Sequence, residues 1–156
     1  MKLFIDGSSG TTGLRIRQRL AERPDVELIV LPDEERHDIG RRRWALNHCD
    51  AAFLCLPDDA ARQAVSLIEN EHVTVLDTST AHRTAPGWTY GFPELSAAHR
   101  SAVCAGGRIA VPGCHASGFI ALVYPLVSAG LLPKDALLTC TSVTGYSGGG
   151  KKMIAE

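Results

Sequence analysis

The chain has 156 residues, a net charge of −1 and a hydrophobic content of 45%. This length fits one ordinary domain, or one domain and the start of another. The near-neutral charge gives no electrostatic reason to expect nucleic acid or an anionic membrane as a partner. No apolar run has the length of a membrane span, and the N-terminus lacks the apolar segment of a secretory signal, so we expect a cytoplasmic protein.

The cysteines are scattered through the sequence without the paired spacing of a zinc site. They are Cys49, Cys55, Cys104, Cys114 and Cys140. Their odd number argues against a disulfide framework, so we expect reduced thiols. We therefore predict no metal site.

Short apolar runs alternate with helical patterns along most of the chain. The runs that predict strands are 3–5, 26–31, 51–56, 73–76, 109–111 and 137–143. The patterns that predict helices are 14–22, a short helix capped by Asp38, one capped by Asp58 or Asp59, 96–104, and one that runs from Cys114 or His115 to about Ala129. Apolar strands that alternate with amphipathic helices are typical of a parallel sheet covered on both faces. We therefore predict the α/β class, with a doubly wound, Rossmann-type parallel sheet followed by the start of an α+β catalytic domain.

The segment between the first strand and the first helix reads Gly7-Ser8-Ser9-Gly10-Thr11-Thr12-Gly13. Glycines at this place allow a tight turn and let backbone N–H groups approach a pyrophosphate at the helix N-terminus. Strand, loop and helix occur in the order that a dinucleotide-binding loop requires. The residues that we assign to the cofactor here are Gly7, Ser9, Gly10, Thr11, Thr12 and Gly13.

The choice between NAD and NADP depends on the residues that follow the second strand. An acid there binds a ribose 2′-hydroxyl and favours NAD, whereas an arginine favours the 2′-phosphate of NADP. The sequence supplies both, because Asp33 is followed closely by Arg36 and by the basic run 41–43. That run also reads as a solvated face, so the pattern alone leaves the cofactor open. We assign Arg36 to the cofactor site.

Cys114 differs from the other cysteines because it lies after Gly113, between a strand and an apolar helix. A thiolate at a helix N-terminus is stabilised by the unpaired N–H groups and the helix dipole, which favours a nucleophilic role. The remaining cysteines read as small hydrophobic residues. The neighbouring His115 does not face Cys114 on a helix, so it is not the expected base.

A nucleophilic thiol beside a hydride carrier indicates one chemistry in particular. The thiolate attacks an activated acyl group, and a hydride then reduces the resulting thioester to an aldehyde. The oxyanion would be stabilised by the helix N-terminus. A Cys–His hydrolase is the competing interpretation, but it leaves the dinucleotide loop unexplained.

The sequence resembles the N-acetyl-γ-glutamyl-phosphate reductases, which are relatives of the aspartate-semialdehyde dehydrogenases. The cofactor loop 7–13 matches the family pattern, and three further motifs follow in the family's order. Residues 77–83 (DTSTAHR) are similar to the family's DLSADFR, residues 90–95 (YGFPEL) to YGLPEL, and residues 112–114 (PGC) to the nucleophile motif NPGCY. The aspartate-semialdehyde relatives carry an NCT-type nucleophile segment instead.

The resemblance implies a role for individual residues. Cys114 would form the acyl-enzyme, Arg83 would hold an anionic substrate group, and Glu94 would face the substrate pocket. Residues 145–150 (GYSGGG) resemble the family's SGVSGAG loop beside the nicotinamide. The residues thereby assigned to the cofactor are Ser79, Ser147 and Gly148.

The sequence departs from the family in three respects. Val111 stands in place of the usual Asn, and His115 in place of the usual Tyr, on either side of Pro-Gly-Cys. Family members are also longer and carry a catalytic histidine in their second half, whereas no histidine follows His115 here. The identity of the acid or base is therefore open, and we expect the substrate domain to be incomplete.

The resemblance implies NADPH-dependent reduction of N-acetyl-L-γ-glutamyl phosphate to N-acetyl-L-glutamate 5-semialdehyde and phosphate, in arginine biosynthesis. The alternatives are an aspartate-semialdehyde dehydrogenase and a non-catalytic NADP-binding fragment. We expect residues 1–110 to form the dinucleotide-binding domain and residues 111–156 to begin the catalytic and dimerisation domain. The full-length protein is expected to be a homo-oligomer that binds a small acyl phosphate.

Overall fold

The computed structural model describes residues 1–145. Its strands are β1 (Lys2–Asp6), β2 (Glu27–Ile29), β3 (Ala51–Leu54), β4 (Thr74–Asp77), β5 (Thr89–Tyr90) and β6 (Arg108–Ala110). The helices are α1 (Thr11–Ala21), α2 (Ile39–Asn47), α3 (Asp58–Ser66), α4 (Ala97–Cys104) and α5 (Cys114–Ser128), with a 3-10 turn at Pro93–Leu95. All strand pairs are parallel, in the order β2-β1-β3-β4-β6-β5. The predicted doubly wound α/β fold is confirmed.

The direction of the winding changes at β1. From there the chain proceeds first to β2 on one side and then crosses to β3 on the other side. Because both crossovers are right-handed, α1 and α2 lie on opposite faces of the sheet. The resulting crevice at the carboxyl end of β1 is the place where sheets of this type bind ligands.

The core lies between the central strands and the helices α2 and α3. Phe4, Leu46, Leu54 and Val75 are buried there together with alanines of α2, β3 and α3. The alanines let the helices approach the sheet closely, and each buried leucine contributes about 2 kcal/mol of transfer free energy. The predicted cap of α2 is confirmed, because the Asp38 side chain accepts a hydrogen bond from the Arg41 N–H at 2.7 Å.

Two predicted features of the elements were wrong. The N-cap of α3 is Pro57, and both Asp58 and Asp59 lie inside the first turn, where the helix dipole favours their negative charge. The strand predicted over 137–143 is irregular chain. No described strand lies beside it, its Leu137 and Val143 are almost fully exposed, and a strand without a hydrogen-bonded neighbour is not stable.

Helix α5 is the least packed element of the described chain. It has 15 residues, none of them buried, although most of them are apolar. Leu122 is 75% exposed, and Phe119 and Leu126 are also exposed. The helix contacts the 3-10 turn that precedes α4, and part of its apolar surface lies beside residues 138–145. Within residues 1–145, no helix combines the length and the apolar character that crossing a membrane requires.

Candidate functional site

The glycine loop joins the carboxyl end of β1 to the start of α1. Gly7 has a φ of +86°, and its carbonyl accepts the Gly10 N–H at 3.0 Å. The first hydrogen bond of α1 runs from the Leu14 N–H to the Gly10 carbonyl at 2.9 Å. The N–H groups of residues 11–13 come before that bond and so have no carbonyl partner within the helix, and no side chain caps them. They are therefore available to an anion.

Two of the glycines in this loop are required by close backbone contacts. A Cβ on Gly7 would lie 2.2 Å from the Cys55 carbonyl oxygen, and one on Gly13 would lie 2.4 Å from the Gly7 carbonyl oxygen. Gly10 is different, because its nearest neighbour would lie 3.4 Å away. Packing within the protein therefore explains Gly7 and Gly13, whereas a Cβ on Gly10 would make only ordinary van der Waals contacts.

A cavity of about 430 Å³ lies beside this loop, at the carboxyl ends of β1, β2 and β3. Its walls include the apolar residues 28–31, Leu56, Pro57 and Ala60. The polar groups that line it are Asp6, Ser8, Ser9, Arg17, Arg36, His37, Arg42 and Gln63. Of the residues assigned from the sequence, the cavity brings together Gly7, Ser9 and Arg36. Ser8 belongs to the predicted glycine loop, whereas no local pattern in the sequence marks Arg17, His37 or Gln63 as cavity residues.

The basic run 41–43 is not a uniformly solvated face, and that interpretation was wrong for Arg42. The Arg42 side chain is 8% exposed and pairs with the buried Asp6, at 2.9 Å between Nη2 and Oδ2. Arg41 and Arg43 are exposed and pair with Glu35 and Glu69. Periodicity does not reveal that the middle arginine points inward, because its partner lies 36 positions earlier in the chain.

Arg36 lies at the cavity and remains exposed. Its guanidinium Nη1 is 3.5 Å from an Asp33 carboxylate oxygen, in a solvated pair. Such a pair contributes little to stability, so Arg36 can exchange Asp33 for another anion at small cost. Asp33 and Arg36, which left the choice between NAD and NADP open in the sequence, thus neutralise each other beside the cavity.

The segment after β4 is organised by the fully buried Asp77. Its carboxylate accepts hydrogen bonds from the Ser79 N–H at 3.0 Å and the Ser79 hydroxyl at 2.7 Å. The His82 Nδ1 lies 2.6 Å from the same carboxylate, and the imidazole stacks on Trp88 at 4.1 Å between ring centroids. The Ser79 oxygen also accepts the Ala81 N–H at 3.1 Å. The hydroxyl proton of Ser79 is therefore already used within the protein.

Arg83 connects this segment to the residues before α5. Its Nε donates to the Val111 carbonyl at 3.1 Å, and its Nη2 is 3.3 Å from the Thr78 carbonyl. A Cβ on Gly113 would lie 2.7 Å from the Arg83 Nη1. The guanidinium therefore lies directly against the residue that precedes Cys114, and a larger residue there would require the Arg83 side chain to shift.

Cys114, one of the two predicted starts, is the first residue of α5, and it is exposed. The first hydrogen bond of α5 runs from the Ser117 N–H to the Gly113 carbonyl at 2.8 Å, so the N–H groups of residues 114–116 precede it. A cavity of about 580 Å³ lies beside the thiol, lined by the first turns of α5 and by residues 138–145. His115 belongs to this wall and hydrogen-bonds through Nδ1 to the Ser142 hydroxyl.

The remaining assigned residues are dispersed. Glu94 is exposed on the 3-10 turn that contacts α5, and it lines neither of the two cavities described here. Thr11 and Thr12 are exposed in the first turn of α1. Ser147 and Gly148 lie outside the described residues. Among residues 1–145, no group of three or more His, Cys, Asp or Glu side chains is arranged to hold a metal ion.

The environment of the thiols separates them into two classes. Burial raises the pKa of Cys49 to about 11, and burial likewise raises the pKa of Cys55 to about 11. The thiols of Cys104, Cys114 and Cys140 are exposed. Cys49 is buried and Cys55 is partly buried, and of the three exposed thiols Cys114 alone lies at a helix N-terminus.

We expect Gly13→Ala to lower the free energy of unfolding by about 2–3 kcal/mol, because the new methyl group would overlap the Gly7 carbonyl. Gly118→Ala is the matched control. It places the same methyl group in open space on α5 and should raise stability by up to about 1 kcal/mol. Urea denaturation of both variants measures the difference. Equal stability of Gly13→Ala and the unsubstituted protein would contradict the close contact.

We expect iodoacetamide at pH 8 to alkylate Cys114 fastest and to leave Cys49 and Cys55 unmodified in the folded protein. With a pKa of about 11, roughly one in a thousand Cys55 thiols is ionised at pH 8, and this fraction grows as the pH rises towards 11. Peptide mass mapping over time gives each rate, with Cys104 and Cys140 as exposed references. If Cys55 reacted as fast as the exposed Cys104, the conclusion that burial suppresses the reactivity of the Cys55 thiol would be refuted.

Comparison with known proteins identifies relatives of this chain. Residues 41–103 match the family model of the semialdehyde dehydrogenase NAD-binding domain. The chain is 55% identical over 155 residues to an N-acetyl-γ-glutamyl-phosphate reductase of Chelativorans sp., covering 99% of this chain and 50% of that protein. A reductase of the same name from Trichormus variabilis is 51% identical over 99% of this chain and 48% of its own length.

The fold has a counterpart among solved structures. The aspartate semialdehyde dehydrogenase of Candida albicans, solved with NADP, superimposes with a TM-score of 0.58 and 20% sequence identity. The match covers 81% of this chain and 46% of that one. The chain spans about half the length of the curated relatives it matches, with 50% and 48% for the two reductases. Over nearly its whole length the chain is therefore similar to N-acetyl-γ-glutamyl-phosphate reductases, at 51–55% identity, and its residues 41–103 match the semialdehyde dehydrogenase NAD-binding domain.

Proposed function

We propose that this chain supplies the NADP-binding site and the nucleophile of an N-acetyl-γ-glutamyl-phosphate reductase of arginine biosynthesis. The reaction would convert N-acetyl-L-γ-glutamyl phosphate to N-acetyl-L-glutamate 5-semialdehyde and phosphate. The observation that carries the proposal is the position of Cys114 at the N-terminus of α5, beside the Arg83 guanidinium and at the same sheet edge as the glycine loop. The homology to proteins of this name supports the substrate.

The proposed chemistry begins at the Cys114 sulfur. The thiolate attacks the acyl carbon, the carbon–oxygen bond to phosphate breaks, and the acyl group becomes a thioester. The bound cofactor would supply a hydride for reduction of that thioester, and the sulfur leaves as thiolate when the aldehyde forms. The N–H groups of residues 114–116 precede the first hydrogen bond of α5, so they can stabilise the oxyanion of each tetrahedral intermediate.

The residues present fit an NADP cofactor. The N–H groups of residues 11–13 suit a pyrophosphate, Gly10 adds no side chain that would obstruct its approach, and Thr11 and Thr12 are further donors. The cavity between β1 and β2 would hold the adenosine half, and Arg36 at its mouth would pair with the 2′-phosphate. The name of the matched domain and the NADP-bound relative support this cofactor.

Arg83 is proposed to contribute positive charge beside the nucleophile. Two of its nitrogens donate to backbone carbonyls, and Nη1, next to Gly113, remains for a carboxylate or phosphate oxygen of the substrate. Glu94 stays a proposed substrate residue on the turn beside α5. Ser79 is proposed to act on the cofactor through the loop that it stabilises. Ser147 and Gly148 stay predictions outside the described residues.

We propose that residues 1–110 form the dinucleotide-binding domain and residues 111–156 begin the catalytic domain. The last described strand ends at Ala110, and α5 has no buried side chain. The complete protein would be a cytoplasmic homo-oligomer. The competing functions are an aspartate-semialdehyde dehydrogenase and a non-catalytic NADP-binding fragment. The first would accept a shorter acyl group, and the second would transfer no acyl group to its thiol.

Acyl transfer to the thiol tests the proposed nucleophile directly. After incubation with N-acetyl-γ-glutamyl phosphate, we expect intact mass spectrometry to show one added N-acetylglutamyl group. Cys114→Ser should abolish the adduct, whereas the control Cys55→Ser should retain it, because the Cys55 thiol is partly buried and burial raises its pKa to about 11.

The same assay with β-aspartyl phosphate distinguishes the candidate functions. Preferential acylation by this shorter acyl phosphate would identify the aspartate branch. An absence of adduct from either acyl phosphate would support the non-catalytic fragment.

Removal of the Arg36 charge tests the cofactor. Arg36→Gln should weaken NADPH binding by about tenfold, because a charge-assisted hydrogen bond to the 2′-phosphate is lost. Its effect on NADH should be small. Arg23→Gln removes the same charge from an exposed pair with Asp25, which lies at the opposite edge of the sheet, and should change neither affinity. Equal weakening of NADPH and NADH by Arg36→Gln would remove the proposed 2′-phosphate contact.

A further inference from the structure

Gln63 lies on α3 at the wall of the cavity beside the glycine loop. Behind it, Arg42 donates through Nε and Nη2 to the Asp6 carboxylate, at 3.1 and 2.9 Å. The third nitrogen of this guanidinium, Nη1, donates to the Gln63 Oε1 at 3.3 Å. The buried pair and the amide therefore form one continuous network from β1 to α3.

The network fixes which end of the Gln63 amide faces the protein. A guanidinium carries only donors, so the atom opposite the Arg42 Nη1 must be the amide oxygen. Arg42 cannot turn away, because Asp6 would then be left as an unpaired buried charge. The amide nitrogen of Gln63 consequently points away from Arg42, and in residues 1–145 it has no hydrogen-bond partner.

On the cavity wall formed by α3 and the residues just before it, the Gln63 amide nitrogen is a hydrogen-bond donor whose direction is set by the contact with Arg42. The neighbouring residues Leu56, Pro57 and Ala60 also line the cavity and have no polar side-chain atom. Apolar side chains of 28–31 form the wall contributed by β2. Apolar side chains on these two walls, with the Gln63 amide nitrogen between them and the other polar groups of the cavity, suit an aromatic base that offers a ring-nitrogen acceptor.

We infer that Gln63 is a specificity-determining residue that donates a hydrogen bond to the purine base of the dinucleotide, with Arg42 and Asp6 as positioning residues. This inference rests on the proposed function, and it adds the residue that recognises the base. The Asp6–Arg42 pair is neutral as a unit, so it orients the amide without drawing the cofactor phosphates into the cavity floor.

Two substitutions separate the donor role from a structural one. Gln63→Glu keeps the length of the side chain and an acceptor for Arg42, but at pH 8 it presents no donor. Gln63→Met removes the donor and the acceptor without adding charge. Both variants should weaken NADPH and NADH by about fivefold, the value of one neutral hydrogen bond. Binding is measured by nucleotide fluorescence, and reduced nicotinamide mononucleotide, which has no purine, should bind all three proteins equally.

Asn47→Ala is the control for stability. Asn47 joins α2 to residues 67–70 through its side-chain amide, at 2.7 and 2.8 Å from the N–H groups of Glu69 and Asn70, away from the cavity. This variant should lower the unfolding midpoint and leave both dinucleotide affinities unchanged.

The outcomes distinguish this inference from the proposed function. If Gln63→Glu binds both dinucleotides as tightly as the unsubstituted protein while Gln63→Met is weaker, Gln63 only supports Arg42 and the inference is overturned. If reduced nicotinamide mononucleotide is weakened equally, the effect is not at the base and the inference is likewise overturned. If the unsubstituted protein binds neither NADPH nor NADH, the proposed cofactor site and the inference fail together.

Discussion

The buried ion pair between Asp6 and Arg42 determines how the cavity end of the sheet is built. Both side chains are less than a tenth exposed, so neither charge is solvated by water. Such a pair contributes little net stability, but removal of one partner costs about 3–5 kcal/mol, because the other charge stays buried. The pair therefore acts mainly through geometry. It fixes α2 against the last residue of β1 and orients Gln63 on α3.

A second buried carboxylate has a similar effect on the other half of the sheet edge. Asp77 ends β4, and its oxygens collect hydrogen bonds from Ser79 and His82 within five residues. This tight turn brings Arg83 to the Val111 carbonyl, across the end of the neighbouring strand β6. The position of the guanidinium beside Gly113 thus follows from the loop after β4. Under the proposed function, that loop sets the charge near the nucleophile without contributing a reacting atom.

The features that sequence reasoning predicted correctly depend on local chemistry. The glycine loop, the Asp38 cap and the start of α5 at Cys114 each follow from residues within a few positions of one another. Helix termini have unpaired backbone groups that only nearby residues can satisfy, so their signals are local. Five of the six described strands and all five described helices were predicted in their order along the chain, with boundaries that differ by a few residues, whereas β5 (Thr89–Tyr90) was not predicted.

The features that were missed depend on contacts between distant segments. Nothing near Arg42 in the sequence distinguishes it from Arg41 or Arg43, and its burial follows from Asp6 at the end of another element. His82 and Trp88 form a stacked pair whose packing becomes evident only with the fold. The prediction of a strand over 137–143 was wrong because it relied on local sequence alone. These residues have strand propensity, but propensity does not provide the neighbouring strand that a sheet requires.

The parallel register also fixes the distance between the two ends of the candidate site. The glycine loop follows β1 and Cys114 follows β6, and the strand order places β3 and β4 between them. Three strand spacings correspond to about 14 Å along the carboxyl edge of the sheet. Under the proposed function, the central pyrophosphate of the dinucleotide would lie at the first loop and its nicotinamide end near the second. Because every strand is parallel, both loops emerge on the same edge, and the backbone hydrogen bonds of the sheet hold this separation constant while the loops themselves vary.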